Sequence, residues 1–297
     1  MGLAEASAHL PGSAKPVRSS AGVSLKPEHF GEALACASDG LWFEVHAENY
    51  MVAGGPRLAM LEKVRERRPL SVHGVGLSLA GSDRPDADQL SRLCVLADRF
   101  QPFLVSEHLA WSMQGENYFP DLLPFPRTHE ALRTVSRNIE ITQDALGRPI
   151  AIENPSLYIA VEGHDWSEVE FLEQLVRRTG CGLLIDVNNV HVSSVNLGFD
   201  SLVYLDGIPA SAVLEIHLAG HSVDPEVGAS LLIDSHDAPV SDGVWQLFDH
   251  LLSRIGPRPS LIERDGNLPS FSELLAERDR AQERLERVER TPDARAA

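Results

Sequence analysis

Eight short apolar runs recur along this chain, and nearly every one ends in an ionisable side chain. The runs are Ala21–Leu25, Leu41–Val45, Leu70–Val75, Phe103–Ser106, Pro149–Ile152, Gly182–Val187, Val213–Leu218 and Ser260–Ile262. Each has the length of a strand, and longer segments with helical periodicity separate them. Arg57–Arg67 sets Leu58, Leu61 and Val64 on one helical face, and Ala87–Phe100 does the same with Leu93, Leu96 and Phe100. Thr128–Leu146 and Glu168–Arg178 read alike, with Thr128 and Ser167 where helix N-caps belong. Alternation of strand and helix with no strand-rich block predicts parallel pairing and a closed (β/α)8 TIM barrel, an α/β fold. An open doubly wound sheet would normally carry a glycine-rich phosphate loop after its first strand. Val23-Ser24-Leu25-Lys26-Pro27 is not one.

The chain of 297 residues matches one such barrel. Residues 1–20, rich in Ala, Ser, Pro and Gly, read as a flexible tail, and 21–270 as the barrel. Residues 271–297 read as a charged C-terminal helix and tail, whose alternating charges predict a solvated face. The formal net charge is −17, and this last segment contributes little of it. A surface so acidic repels phosphate backbones, so nucleic acid is not an expected partner. No apolar run is long enough to span a membrane, and no secretory signal opens the chain. Cys36, Cys94 and Cys181 are far apart and form no zinc or disulfide pattern, so buried thiols in a reducing cytoplasm are expected.

The strand ends carry the chemistry. They are Glu44-Val45-His46-Ala47-Glu48-Asn49, Val72-His73-Gly74, Ser106-Glu107-His108, Ile152-Glu153-Asn154, Ile185-Asp186-Val187-Asn188-Asn189, Glu215-Ile216-His217-Leu218 and Ile262-Glu263-Arg264-Asp265. In a barrel these ends converge on one mouth, where active sites are built. So many carboxylates cannot share a low-dielectric pocket unless cations neutralise them. Imidazole with carboxylate suits Fe, Mn or Zn, and the lack of nearby Cys or Met argues against copper. A lone strand-end histidine is more often a hydrogen-bonded core residue than a ligand. Six or seven consecutive strand ends are poorly explained that way.

These motifs, with His73-Gly74-Val75-Gly76-Leu77-Ser78, His217-Leu218-Ala219-Gly220-His221 and Asp234-Ser235-His236-Asp237, resemble the multinuclear non-haem iron-dependent oxidative enzymes. The resemblance runs from about Gly22 to Pro269. That family is related to xylose-isomerase-like barrels, including the trinuclear apurinic-site endonucleases. It modifies cysteines in ribosomally made peptides, as in methanobactin and bufferin biosynthesis. The resemblance implies two to three iron ions of mixed Fe(II)/Fe(III) state and O2 as co-substrate. It also implies a Cys-containing precursor peptide and a separate peptide-presenting partner protein.

Carried over position by position, the resemblance implies a first metal site of His73, His108 and Glu153. Glu153 would bridge to a second site with Asp186, His217 and Glu263, and Asn189, Asp234 and His236 would form a third. Asn189 stands where the endonuclease-like relatives have histidine, and an amide oxygen is the poorer ligand. His46, Asn154 and Asp237 are the candidates for substrate or proton handling. Glu48 also fits the pocket lining, His221 a ligand-orienting role, and His191 is left unassigned.

Three functions compete: an iron- and oxygen-dependent oxidase of peptidyl cysteine, a redox-silent hydrolase or isomerase on the same scaffold, and a metal-binding protein without turnover. Fold does not choose between them. Isomerases of this fold usually place a lysine in the barrel mouth, and Lys15, Lys26 and Lys63 follow none of strands two to eight.

Overall fold

The computed structural model describes residues 17–115 and 117–290. In chain order its elements are β1 (Ala21–Ser24), α1 (Phe30–Ala35), β2 (Phe43–His46), α2 (Pro56–Arg65), β3 (Leu70–Gly74), α3 (Ala87–Phe100) and β4 (Leu104–His108). A hairpin follows, β5 (Trp111–Gln114) with β6 (Asn117–Leu123), then α4 (His129–Leu146), β7 (Ala151–Glu153), α5 (Glu168–Thr179) and β8 (Gly182–Asp186). Next come α6 (Val187–Leu197), α7 (Ser201–Gly207), β9 (Val213–Leu218) and a second hairpin, β10 (Ser222–Asp224) with β11 (Gly228–Ile233). The series ends with α8 (Asp242–Ile255), β12 (Ser260–Ile262) and α9 (Phe271–Glu289).

β1, β12, β9, β8, β7, β4, β3 and β2 close into one barrel in that order, every pair parallel. The expected TIM barrel is the fold. Helix starts follow the capping chemistry: Thr128 accepts from Ala131 N at 3.1 Å, and Ser167 and Glu170 cap each other reciprocally. The two hairpins add four short strands to the eight runs read from the sequence. Each is a local antiparallel pair inside one strand-to-helix loop, too short and too exposed to leave an alternating apolar pattern.

Strand alternation divides the apolar residues into two cores. Val23, Val45, Val72, Val105, Ile152, Leu183, Ile185 and Ile216 point outward into the large core beneath the helices. Leu104, Ala151 and Leu184, with Phe103 against them, form a separate small cluster inside the barrel. Trp42 joins this floor, its ring edge-on to Phe103 at 5.1 Å. Gly22 is required beside it, because a Cβ there would lie 2.4 Å from the indole.

Residues 1–16 of the expected tail and 291–297 of the expected C-terminal segment lie outside the described residues. Val17–Ser19 forms a short 3-10 turn. α9 has a charged outer side, but Phe271, Leu274, Ala281 and Leu285 are buried against the barrel. Buried Arg278 donates to Ala21 O and Asp39 O, both at 2.8 Å, and Gln282 Oε1 accepts from Ala21 N at 3.0 Å. Of the cysteines only Cys181 is buried; Cys36 and Cys94 are half-exposed at helix surfaces. No described helix is long and apolar enough to cross a membrane.

Arg278→Met keeps the aliphatic packing but leaves two carbonyls of the barrel base without their charged donor. It is expected to destabilise the fold by about 2–3 kcal/mol in urea denaturation, the usual worth of hydrogen bonds to a charged group. An unchanged midpoint would show that α9 adds nothing to the barrel through this residue.

Candidate metal centre

The barrel register sets the donor side chains next to one another. Residues matched across a parallel pair share a face, and the matches are His46 with His73, His108 with Glu153, and Asp186 with His217. Each stands at the C-terminal end of its strand. Glu263 directly follows β12, held by its backbone N–H to Leu218 O at 2.9 Å.

Glu153 is the hub. Its Oε2 lies 3.1 Å from His73 Nε2 and 3.2 Å from His108 Nε2. The outer nitrogens of these rings are taken: His108 Nδ1 meets Gly74 O at 3.1 Å, and His73 Nδ1 meets Ser106 Oγ at 2.8 Å. Both rings are thereby turned with Nε2 toward Glu153, the orientation that suits metal-ligating imidazoles. Asp186 is divided between two tasks. One oxygen caps α6 by accepting from Asn189 N at 2.6 Å, and the other is buried without a hydrogen bond. His217 Nδ1 lies 3.1 Å from Glu263 Oε2, and His236 Nδ1 lies 3.4 Å from the same oxygen. His236 Nε2 is 2.7 Å from Asp234 Oδ1.

Among the described residues, five sets of atoms lie close enough to share an ion, each within 4.8 Å: His73, His108 and Glu153; Glu153, Asp186 and His217; Asp186, His236 and Glu263; His46, Glu263 and Asp265; and, one layer deeper, Glu44, Glu215 and His217. The residues fit metal ions on a second count. His73 Nε2, Glu153 Oε2, Asp186 Oδ2, Asn189 Oδ1 and His236 Nε2 are all buried and make no hydrogen bond, as are His217 Nε2, Glu44 Oε1 and both Glu215 oxygens one layer deeper, though His73 Nε2 and Glu153 Oε2 are only 3.1 Å apart. Buried polar atoms normally find partners. Here they crowd against one another at 2.7–3.2 Å without forming hydrogen bonds, an arrangement that would suit ligands around a cation.

His236 is placed by an unusual backbone. Its φ is +49°, a left-handed conformation that a histidine adopts only under constraint. Its N–H donates to Gly220 O at 3.1 Å, and its carbonyl accepts from Asp265 N at 2.9 Å. Gly220 lets this loop lie flat on β9, since a Cβ there would fall 2.0 Å from Ala238 O.

Charge is balanced pair by pair. Burial pushes the Glu153 carboxyl up, but His108 and His73 override it and hold it at about 2. Burial pushes His73 down, and Glu153 reverses this, raising it to about 10. Burial, with Asp234 and Glu153 nearby, lifts Asp186 to about 7. Burial also pulls His217 and His236 down, but Glu44 and Glu263 beside His217, and Glu263 and Asp234 beside His236, outweigh it and hold both well above the ordinary imidazole value.

The remaining residues singled out in the sequence divide by what they touch. Asn154 uses its whole amide on Asp186, donating to its carbonyl at 3.1 Å and accepting its N–H at 2.8 Å. Asn189 lies against Glu153, donating to its Oε1 at 3.3 Å and to Asn154 O at 3.0 Å. His221 reaches Asp234 through Asn188, by contacts of 2.8 and 2.7 Å, and His191 stacks beside it at 4.9 Å. Asp237 accepts from Ser235 Oγ at 2.5 Å at the edge of the group. Glu48 braces a loop by accepting from Val75 and Gly76, both at 2.9 Å. His46 Nε2 is 3.3 Å from Glu263 Oε1 and faces a mouth cavity of about 270 Å³ that Lys26, Glu44, Tyr50, Arg57 and Asp265 also line.

Sequence reasoning left Glu44, Glu215, Asp265 and Lys26 without roles. Glu44 and Glu215 each stand two residues before a site histidine, and on a strand that spacing means the same face. Lys26 follows β1, the one barrel strand excluded from the lysine argument. It lines the mouth and pairs with Asp265, so the case against an isomerase is weaker than the sequence implied.

A family model described as RiPP precursor modification enzyme MbnB/TglH/ChrH matches residues 20–286. A Caulobacter vibrioides protein named UPF0276 protein is 60% identical over 262 residues, covering 88% of this chain and 93% of its own. A UPF0276 protein of Bordetella pertussis is 51% identical over 261 residues, covering 88% and 90%. Among solved structures, L-ribulose 3-epimerase superposes with a TM-score of 0.58 at 13% identity, covering 93% of this chain and 97% of its own. Endonuclease IV from Thermus thermophilus gives 0.55 at 17% identity, covering 90% and 99%. At such identities these two likenesses concern the fold alone.

The shifts fix how stability depends on pH. His73, raised from 6.5 to about 10, contributes stability that is present below pH 6.5 and lost as pH rises toward 10. Asp186, raised from 3.8 to about 7, loses stability over that interval as it ionises. Glu153, held at about 2, loses its contribution only as pH falls from 4.5 toward 2. Chelator-treated protein should therefore melt at falling temperature from about pH 5 to about pH 9. Added divalent metal should reverse the slope, because it competes with protons for the same atoms. Thermal melts across that range with and without metal test this, and a chelator-treated protein that gains stability toward pH 9 would contradict it.

Proposed function

This chain belongs to the family of RiPP precursor modification enzymes MbnB/TglH/ChrH, and we propose that it oxidises cysteine residues of a ribosomally synthesised precursor peptide with iron and O2. The observation that carries the reading is the set of buried, unpartnered imidazole and carboxylate atoms converging at the barrel mouth in a chain of this family. His73, His108 and Glu153 would hold one ion; Glu153, Asp186, His217 and Glu263 would hold a second. Asp234 and His236 would hold a third, with the free amide oxygen of Asn189 as its weakest donor. Bound there, iron supplies Lewis acidity, a template and the redox capacity that O2 chemistry demands.

The chain's own groups do the rest. Glu153, facing both His73 and His108, would serve as the shared carboxylate of two neighbouring cations. Asn154 fixes the turn that aims Asp186. His46, at the cavity edge beside Glu263, takes or returns a proton at Nε2 as substrate enters. Asp237 steadies the loop that carries His236. Exposed Tyr118, Phe119, Tyr158, Ile159, Val223 and Val227 lie on the hairpins and the loop after β7, on the face that bears the mouth. Apolar exposure of this kind supports a separate partner protein that presents the peptide. Free cysteines fit a cytoplasmic setting.

A redox-silent hydrolase or isomerase is the second reading, and the one observation favouring it is Lys26 in the mouth. Its ammonium is tied to Asp265, so it is not free to serve as an acid or base without a rearrangement.

Protein expressed with iron should carry about two to three iron per chain by elemental analysis. Glu153→Gln keeps the size but removes the bridging charge, and should lose more than one equivalent together with activity. Full metal content in that variant would refute the bridge.

Intact-mass analysis of precursor peptide incubated with enzyme, partner protein and O2 tests the reaction class. Oxidation of cysteine is expected, with turnover lost on Cys→Ser substitution in the peptide, on exclusion of O2 and on replacement of iron by zinc. Sustained anaerobic turnover by zinc-loaded enzyme, with a product heavier by one water, would establish the hydrolase instead. Undiminished turnover without the partner would remove the partner from the scheme.

A further inference from the structure

One layer below the donor ring, the barrel interior is polar where such barrels normally pack branched apolar side chains. Glu44, Ser71, Ser106 and Glu215 are all essentially without solvent contact there. Ser106 is accounted for by His73 Nδ1, at 2.8 Å. Glu44 and Glu215 are not accounted for by the metal sites proposed above, and burying a carboxylate without a donor is strongly unfavourable.

Both glutamates face one nitrogen. His217 Nε2 lies 3.2 Å from Glu44 Oε1 and 3.5 Å from Glu215 Oε1, and His217 Nε2 and Glu44 Oε1 are both buried and unpaired by any hydrogen bond, so each is open to the other. The other oxygen of Glu44 accepts from Ser71 Oγ at 2.7 Å, which anchors the carboxylate against β3. The opposite nitrogen, His217 Nδ1, faces Glu263 Oε2 at 3.1 Å. The two faces of one imidazole are thus divided between the layer below and the metal centre above.

We infer that Glu44, braced by Ser71, is a positioning residue that takes the Nε2–H of His217 and so leaves Nδ1 as the ligand nitrogen. This rests on the reading of His217 as a metal ligand. Glu44 is the better acceptor of the two, since it is nearer and its second oxygen already has a donor. An imidazole hydrogen-bonded to a carboxylate is fixed in tautomer and ring angle, and is a more basic donor to the metal. The Glu44-Val45-His46 and Glu215-Ile216-His217 spacings then have a common sense: each strand puts one residue in the ring and a glutamate two positions back in the layer beneath.

Cobalt(II) binding to the chelator-treated protein tests this without needing peptide or turnover. Glu44→Gln keeps the volume and removes the charge, and should weaken one cobalt equivalent about 10–100-fold and shift its visible absorption. Ser71→Ala should give a smaller change in the same direction. His217→Ala is the control: it should lose that equivalent outright. If His217→Ala keeps every equivalent, the ligand reading itself fails and this inference with it. If His217→Ala loses the equivalent while Glu44→Gln binds cobalt with unaltered affinity and spectrum, only the role of Glu44 is overturned. Should Glu44→Gln fail to fold, imidazole ¹⁵N–¹H correlation on the unaltered zinc-loaded protein reads the tautomer directly. A proton on Nε2 of His217 is expected, and a proton on Nδ1 overturns the inference.

Discussion

Carboxylates and imidazoles crowd the barrel interior at distances of 2.7–3.5 Å, and their charge must be balanced where water does not reach. Two like charges 4 Å apart repel by about 4 kcal/mol even at an effective dielectric of about 20. Taking each ion out of water costs several kcal/mol more. Glu153, Asp186 and Glu263 share the mouth with imidazoles and with the amide donors of Asn189 to offset their charge. A flexible scaffold would relieve the crowding by letting the carboxylates swing out to water. The closed barrel does not allow it, because each donor is tied by register to a matched residue on the next strand.

The interior is stratified in consequence. Trp42, Phe103, Leu104, Ala151 and Leu184 form an apolar floor that α9 and the base of β1 support from below. Above it lies the polar layer of Glu44, Ser71, Ser106 and Glu215, then the donor ring, then the mouth cavity beside His46. Stability resides at the floor and in the outer core, and chemistry at the other end, the usual division of labour in this fold. The departure is the middle layer, where polar residues occupy positions that ordinarily stabilise the barrel by packing. Its residues act through the ring above them.

The likeness to sugar epimerases and to an endonuclease concerns the scaffold, and scaffold does not carry function. Two hairpins rise from the ends of β4 and β9 and set exposed aromatic and aliphatic side chains around the mouth. A small sugar needs no such rim, whereas a peptide delivered by another protein does. Family membership and the rim therefore favour a peptide substrate on separate grounds.

Much of this was legible in the sequence, because its signals are local. Strand-length apolar runs separated by periodic helices specify a parallel barrel, and a histidine or carboxylate at the end of nearly every run points to the face where ionisable groups gather. His73, His108, Glu153, Asp186, His217, His236 and Glu263 could be named on that basis together with the family resemblance, and the structure brings them together. Tertiary structure alone decided how they pair. It set Asn189 against Glu153, joined Asp234 to His221 through Asn188, and brought Lys26 from the first strand across to Asp265 after the last. It also turned a charged terminal helix into a structural member, through Arg278 and Gln282. These contacts join residues up to 261 positions apart. They depend on the barrel closing and on its register, and neither is encoded in any one segment: a strand's own period says which way a side chain points, and only its neighbours say what it meets.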